Sequence, residues 1–466
     1  MSVHLRNREH IEEYSISEEW YKNRRRGISA MLRVKNEEEF IKPCIVSIKD
    51  FFDEVVIVLN QCTDSTPQII TQLNLPQVKV FAYPFDLHHN GPGHDHLPEN
   101  SVYDSSYFYN WTLSKTQFQH VCKWDGDMVA LPNFDTRLRN IVLNTTIVRI
   151  TEFNIAGDEL AYLSREAPRN SEPRFFKVAR DTYYRQGKLC EEFTHSYGEQ
   201  VRTMETPVFL HFKNAKSMES ATKLWPAHWR EIPHFQKLTC RRIKGEVYRG
   251  VYPDALREKI IDRALKAARK GGELRDAEGV MKHSGELLFR LRNRGLQGDM
   301  VEMGPVSKTM AIFLRALMET LFPEHRMYTL DPFTIEAGEK SFLLNGVKRD
   351  HGIDESSVAT TQGLNNYHPL TITSTDTEEV VPGSVIFSFI EGTQICGPMK
   401  HGVKMLFDKT VAGGIIALSG LHHTAMPELK RTYKEIVGSH RVMPVGEDST
   451  TLYLVKKPRF AFCWTS

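Results

Sequence analysis

The sequence predicts an α/β protein built from two successive domains. Short apolar runs alternate with amphipathic helical segments across residues 27–83, and the same rhythm returns across residues 299–419. Such alternation marks βαβ units and hence a parallel sheet. Length is the third observation, since 466 residues exceed what a single hydrophobic core ordinarily organises.

After a polar lead-in over residues 1–25, the run GISAMLRV at 27–34 is the first expected strand, 36–52 the first helix, EVVIVL at 54–59 the second strand and VKVFAY at 78–83 the third. The segment 86–100 is rich in Gly, Pro and His and reads as a long loop, the kind of excursion that often carries function. Helical periodicity returns at 105–119, followed by a strand HVCKW at 120–124. From about 220 to 297 the pattern becomes charged and amphipathic. It is clearest at 253–271, where Pro253 suits a first turn and Gly271 with Gly272 a stop. The expected division is a first domain over 26–225, a helical connector over 226–281 and a second domain over 282–466. The second domain should hold strands at 299–303, 326–330, 384–390 and 413–419 and a helix at 306–321.

Hydrophobic residues make up 41% of the chain and charged residues 25%, as in a globular protein with buried cores. Sixty Lys and Arg against 58 Asp and Glu give a net charge of +2, which provides no general pull toward nucleic acid. An anionic ligand must therefore be held locally. The seven cysteines are scattered with no C-x-x-C spacing, which argues against a disulfide framework or zinc cluster and for a reducing, cytoplasmic setting. No apolar run reaches the ~20 residues of a membrane span, although peripheral contact with a membrane surface stays compatible.

The central feature is Asp125-Gly126-Asp127, directly after an expected strand. Two carboxylates at the C-terminal edge of a parallel sheet point into the crevice where α/β proteins bind ligands. Oxygen ligands of this kind suit Mg²⁺ or Mn²⁺, which in turn bridges a diphosphate and stabilises it as a leaving group. The same three residues are also compatible with a plain strand-end turn. Around them stand Asn36-Glu37-Glu38 after the first strand, Asn60 through Thr66 after the second, and Tyr109-Asn110-Trp111 one helix before the acidic pair.

This ordered set resembles glycosyltransferase family 2, whose members have the GT-A fold, over roughly residues 26–215. The resemblance implies that Asn36 and Asn60 lie near the nucleotide base and ribose, that Asp64 buttresses their turn and that Asn110 faces the diphosphate. It implies that Asp125 and Asp127 hold ribose and metal. Leu59 stands where the family usually has an Asp, so the base contact must come from Asn60 or elsewhere. His211, after an apolar strand, matches the late histidine that completes metal coordination in such enzymes, with Lys213 two residues on as a basic alternative. An inverting transfer needs a general base; the candidates are Asp158 and Glu159, with Asp158 preferred, and Glu191 and Glu192. Arg174 would anchor an anionic acceptor or pair with a neighbouring carboxylate.

Residues 298–310 are similar to the opening of class I S-adenosylmethionine-dependent methyltransferases, in the macrocin O-methyltransferase group, over roughly residues 282–440. The resemblance implies a Rossmann-like domain in which Glu302 and Gly304 border the cofactor, Gly304 because a side chain there would block the approach. It further implies that Asp331 binds the ribose hydroxyls and that Glu391 belongs to the same site. Departures lie at Ser307 and Lys308, at Glu391-Gly392-Thr393-Gln394 and at Ser419-Gly420. They weaken metal-assisted methyl transfer and leave His422 and His423 as alternative bases. Three readings follow. One is a two-activity enzyme acting with a nucleotide-sugar donor on a glycan or glycolipid acceptor. Another is a glycosyltransferase with a non-catalytic rear module. The last, a nucleotidyltransferase, ranks below both because RVKNEE lacks a glycine-rich loop.

Overall fold

A computed structural model of the chain describes residues 6–88, 96–157, 159–164, 171–188, 190–195, 200–216, 244–274, 277–304, 308–331, 367–371, 384–391, 397–420, 431, 434–435, 438, 441–447 and 450–458. The chain is α/β and divides into two compact units, one ending at Tyr248 with Tyr252–Leu256 added, the other built from Arg249–Val251 and Arg257 onward.

In the first unit, β1 (Arg25–Val34), α1 (Ile41–Ile48), β2 (Glu54–Asn60), α2 (Thr66–Leu73), β3 (Val78–Tyr83), α3 (Ser105–Ser114) and β4 (Phe118–Asp125) form a parallel array. β5 (Met128–Ala130), α4 (Thr136–Leu143), β6 (Ile147–Thr151), β7 (Phe153–Ala156) and β8 (Tyr162–Ser164) follow. The unit continues through β9 (Ser171–Lys177), β10 (Tyr183–Gln186), β11 (Glu191–Thr194), β12 (Val201–Met204), β13 (Phe209–Asn214) and β14 (Lys244–Val247). The main sheet has the order β12-β6-β9-β4-β1-β2-β3, with β9 antiparallel to its neighbours, and a smaller sheet has the order β14-β8-β7-β13-β5.

Period-two alternation in β1 and β2 distributes the core over both faces of the main sheet. Ile28, Ala30, Leu32 and Val34 of β1 with Val55 and Ile57 of β2 pack under α1, α2 and α4. Val56 and Val58 face the other way, against Tyr107, Phe108 and Trp111 of α3. This is why β1 is buried over nearly its whole length and reads as a continuous apolar run. The lead-in expected to be merely polar contributes to the second face, because Ile16 is buried there and Tyr14 packs on Tyr83 and Trp111. α3 starts where the Asp104 carboxylate caps the Ser106 amide, and α4 where Asp135 caps Arg137 and Leu138. α1 is shorter than the expected 36–52 helix, since Asn36 at φ +55° turns the chain before Ile41.

The second unit begins with two helices, α5 (Arg257–Gly271) and α6 (Ala277–Asn293). β15 (Asp299–Met303), α7 (Lys308–Leu321), β16 (Met327–Asp331), β17 (Tyr367–Thr371), β18 (Val385–Glu391), α8 (Gly397–Lys409), β19 (Thr410–Ser419), β20 (Val442–Glu447) and β21 (Thr451–Lys456) complete it. Its sheet order is β17-β16-β15-β18-β19-β21-β20, parallel from β17 to β19, with β21 antiparallel to both flanking strands. This is a doubly wound arrangement that reverses direction between β15 and β18.

The stretch expected as a helical connector does not stand apart. Lys244–Val247 pairs with β8 in the first unit, whereas α5 packs its Ile260, Ala264, Leu265 and Ala268 face against α7 and α6 of the second. Residues 226–243 of that stretch lie outside the described residues, as do 89–95 of the Gly/Pro/His-rich loop. Among the described residues, no helix is long and apolar enough to cross a membrane.

Candidate active site

The first unit reverses its winding between β1 and β4, since β2 and β3 extend the sheet to one side of β1 and β4 lies on the other. In an open α/β sheet the carboxyl ends of the strands at such a reversal border the ligand crevice. Arg33, one residue before the end of β1, is in register with Asp125, the last residue of β4, so both lie at the carboxyl ends of their strands. The chain then turns through Gly126 into β5. A Cβ on Gly126 would come within 2.9 Å of the Glu37 Cγ, so the middle glycine lets the loop after β1 pack against the acidic turn.

Antiparallel pairing of β5 with β13 sets His211 opposite Met128, and the Phe212 amide donates to the Asp127 carbonyl at 2.9 Å. This register carries His211 and, one turn later, Lys216 onto Asp127. His211 Nε2 lies 3.2 Å from Asp127 Oδ1, and Lys216 Nζ lies 2.8 Å from Oδ2 and 2.7 Å from Glu37 Oε1. Asp125 is held in the same manner, by Arg33 Nη2 at 2.5 Å on Oδ1 and Arg174 Nη1 at 2.8 Å on Oδ2. Arg174 also grips Glu152, which lies 3.6 Å from His211 Nδ1. The Arg33 guanidinium sits 4.0 Å over the Tyr109 ring, a cation–π arrangement.

The cations in these pairs are buried, and Asp125 keeps 26% of its side chain exposed. Burial alone would push the Asp125 carboxyl up, but Arg174 and Arg33 outweigh it and hold the group well below the usual carboxylate range. Burial would lower the His211 imidazole, yet Asp127 and Glu152 raise it to about 9. Glu152 is brought down to about 2 against the effect of burial by His211 and Arg174. For Glu37 burial wins, and despite Lys216 its carboxyl rises to about 8.

Asp125, Asp127 and His211, expected as metal ligands, do come together, but the donor set does not fit a divalent cation. Every carboxylate oxygen of the two aspartates already faces a protein cation. Among the described residues, no group of three or more His, Cys, Asp or Glu is arranged to hold a metal ion. The Mn²⁺ or Mg²⁺ expectation finds no support among the described residues.

Other expected contacts are redirected. Asn60 donates its amide to the Tyr83 and Phe85 carbonyls, the latter at 2.8 Å, and so braces the end of β3. Asn110 pairs doubly with the Tyr184 backbone, at 2.7 and 2.8 Å, and thereby ties α3 to β10. Asn36 Oδ1 accepts from the Thr63 amide at 2.7 Å, and Asp64 accepts from the Thr66 and Glu38 amides, so the loops after β1 and β2 are laced together.

Of the candidate bases, Glu191 is partly buried within reach of Ser105, Lys123 and Tyr109. Glu192 instead pairs with Arg185 on the surface. Asp158 lies outside the described residues. Arg174 takes the pairing role, and Lys213 is exposed whereas Lys216 is buried. Arg33, Glu152 and Lys216 are site residues that the motifs did not single out, and Glu37 of the Asn36-Glu37-Glu38 run had no role assigned from the sequence.

At the reversal of the second sheet, Glu302 and Gly304 flank the last residue of β15, Asp331 ends β16 and Glu391 ends β18. Gly304 has φ +105°, and a Cβ there would meet the Glu391 carbonyl oxygen at 2.7 Å, so only glycine allows the two strand ends to approach. Burial pushes the Glu302 carboxyl up to about 7, against a 2.5 Å hydrogen bond donated by the Thr329 hydroxyl and with help from Glu391. Residues 305–307, 392–396 and 421–430, with Ser307, Gly392-Thr393-Gln394, His422 and His423, lie outside the described residues.

No family model matches the chain, and no curated protein does. Solved structures that resemble it include the O-methyltransferase NovP, at 15% identity and TM-score 0.30, covering 37% of this chain and 77% of that one. CalS11, a TDP-rhamnose 3'-O-methyltransferase of calicheamicin biosynthesis, matches at 15% identity and TM-score 0.29, over 44% of this chain and 96% of its own. S. aureus TarS in complex with UDP-GlcNAc matches at 14% identity and TM-score 0.30, over 63% of this chain and 88% of its own.

Proposed function

We propose that the first unit transfers a sugar from a nucleotide-diphosphate donor to a hydroxyl of a glycan or glycolipid, as the glycosyltransferase family 2 resemblance implies. The observation that carries this reading is the Asp125-Gly126-Asp127 turn at the winding reversal between β1 and β4, flanked by buried Arg33 and Lys216. Anionic ligands bind at such reversals because strand ends and loops converge there around a crevice. Buried cations at the same point are suited to a diphosphate. In the transfer, the bond from the anomeric carbon to the diphosphate oxygen breaks and its electron pair stays on phosphate. The acceptor oxygen bonds to the anomeric carbon, and its proton passes to a carboxylate. Glu191 is the base favoured here, because it lies near Lys123 and beside the Arg33 and Tyr109 pair.

The second unit, in this proposal, binds S-adenosylmethionine at its own reversal, where Gly304 permits the close approach of β15 and β18. Methyl transfer to the same glycan follows if that cofactor is turned over. Thermal-shift screening of the full chain against nucleotide sugars and, separately, S-adenosylmethionine tests both halves, because a ligand of the native state raises the melting temperature. A nucleotide sugar that shifts melting supports the first reading; a panel without any response removes it. Glu191→Gln is expected to lower the turnover of a responding donor by about 10²–10⁴-fold while donor affinity persists, as for loss of a general base.

A further inference from the structure

We propose that the first unit holds the diphosphate of its sugar nucleotide without a divalent cation, the positive charge coming from Lys216 and Arg33. The inference rests on the sugar-transfer reading above and concerns how that site meets the charge of the leaving group.

Its basis is the distribution of partners around the acidic turn. A metal ion bridging Asp125 and Asp127 needs carboxylate oxygens, and all four face protein cations: Arg33 and Arg174 on Asp125, His211 and Lys216 on Asp127. These groups are deeply buried, the Arg33, Arg174, Lys216 and His211 side chains being 5%, 3%, 7% and 8% exposed. Entry of a divalent ion would displace at least two of them from their carboxylates and leave them beside a second positive centre. Buried like charges in a medium of low permittivity repel strongly.

The donors, by contrast, are not all engaged among the described residues. An ammonium has three N–H donors, and Lys216 directs its nitrogen to two carboxylates, Glu37 and Asp127. A guanidinium has five. Arg33 meets Asp125 through Nη2, whereas its buried Nε and Nη1 have no hydrogen-bond partner among the described residues. Unmet buried donors on a fixed cation are costly unless an acceptor arrives. Phosphate oxygens are acceptors of the right charge, and arginine and lysine are the side chains that bind them. Arg174 differs, since its three nitrogens are engaged by Asp125, Glu152, Glu172 and the Lys123 carbonyl. It serves as the brace that keeps Asp125 in place for Arg33.

The test is calorimetric titration of the full chain with UDP, GDP, dTDP and CDP, each in EDTA and again with Mn²⁺. At least one diphosphate is expected to bind in EDTA with an affinity that Mn²⁺ leaves unchanged. That binding should weaken by about tenfold or more in Lys216→Met, a loss of the size expected for one charge-assisted contact, and should be retained in Lys216→Arg. Circular dichroism of both variants checks that they fold; the comparison of EDTA with Mn²⁺ on the unaltered chain stands without them. Binding that appears only with Mn²⁺ overturns the metal-free inference and leaves the sugar-transfer reading in place. Absence of binding in both conditions overturns the two together.

Discussion

Asp127 is the residue on which the first site balances, because its two oxygens hold a lysine and a histidine that are both buried. Removing one partner of a buried pair strands the other, at about 3–5 kcal/mol. Asp127→Ala is therefore expected to destabilise the first unit by about that amount, read as a lower urea midpoint; an unchanged midpoint would show that the pairing contributes little. His211 supplies a prediction in pH. Its folded value of about 9 lies above its ordinary 6.5, so its contribution to stability is complete below about 6.5 and is lost as pH rises through about 9. Glu152 has the opposite sign, its stabilisation present above the ordinary carboxylate value and lost as pH falls toward about 2. Side-chain NMR of labelled histidine should find the His211 ring protonated at pH 7.5, and a midpoint near 6.5 would contradict the described pairing. At this scale the sequence disclosed the anions better than the cations. Asp125 and Asp127 announce themselves as an acidic turn after a strand, whereas Arg33 meets Asp125 across 92 residues and Lys216 meets Glu37 across 179. Nothing local to Arg33 or Lys216 marks them, and only the register of β1 with β4 and of β5 with β13 brings them in.

Among the elements, the parallel strands were the most legible because burial on both faces demands near-continuous apolar residues, as in β1, β2 and β18. β8, β10, β11, β12 and β14 have only three or four residues each, too few for alternation to register, and none of them was anticipated. Asn110 shows the consequence for a site reading. Its position on α3 was evident, but its true partner is the backbone of one of those short strands. Asn110→Ala should leave the Tyr184 amide and carbonyl unpaired, cost about 1–3 kcal/mol and loosen the β10 and β11 hairpin, seen as faster amide exchange there. A hairpin as protected as before would mean that Asn110 does not hold it. In the second unit Gly304→Ala places a Cβ against the Glu391 carbonyl at a positive φ. It is expected to destabilise by more than about 1 kcal/mol and to abolish any thermal response to S-adenosylmethionine, whereas a retained response would separate the glycine from cofactor binding.

The whole molecule carries two doubly wound sheets, each with its own buried core and its own reversal point. That plan was readable from the repeated strand and helix rhythm, while the placement of α5 within the second unit was not, because an amphipathic helix does not declare which core its apolar face joins. On the proposed function, the crevice at the ends of β1 and β4 receives a nucleoside diphosphate. Hydrogen–deuterium exchange of the full chain, with and without a diphosphate that raises its melting temperature, tests it most directly. Protection is predicted in the segments carrying residues 33–38, 125–128 and 211–216, with the second unit unaffected. Protection confined to the second unit, or to segments that avoid all three, would contradict the account.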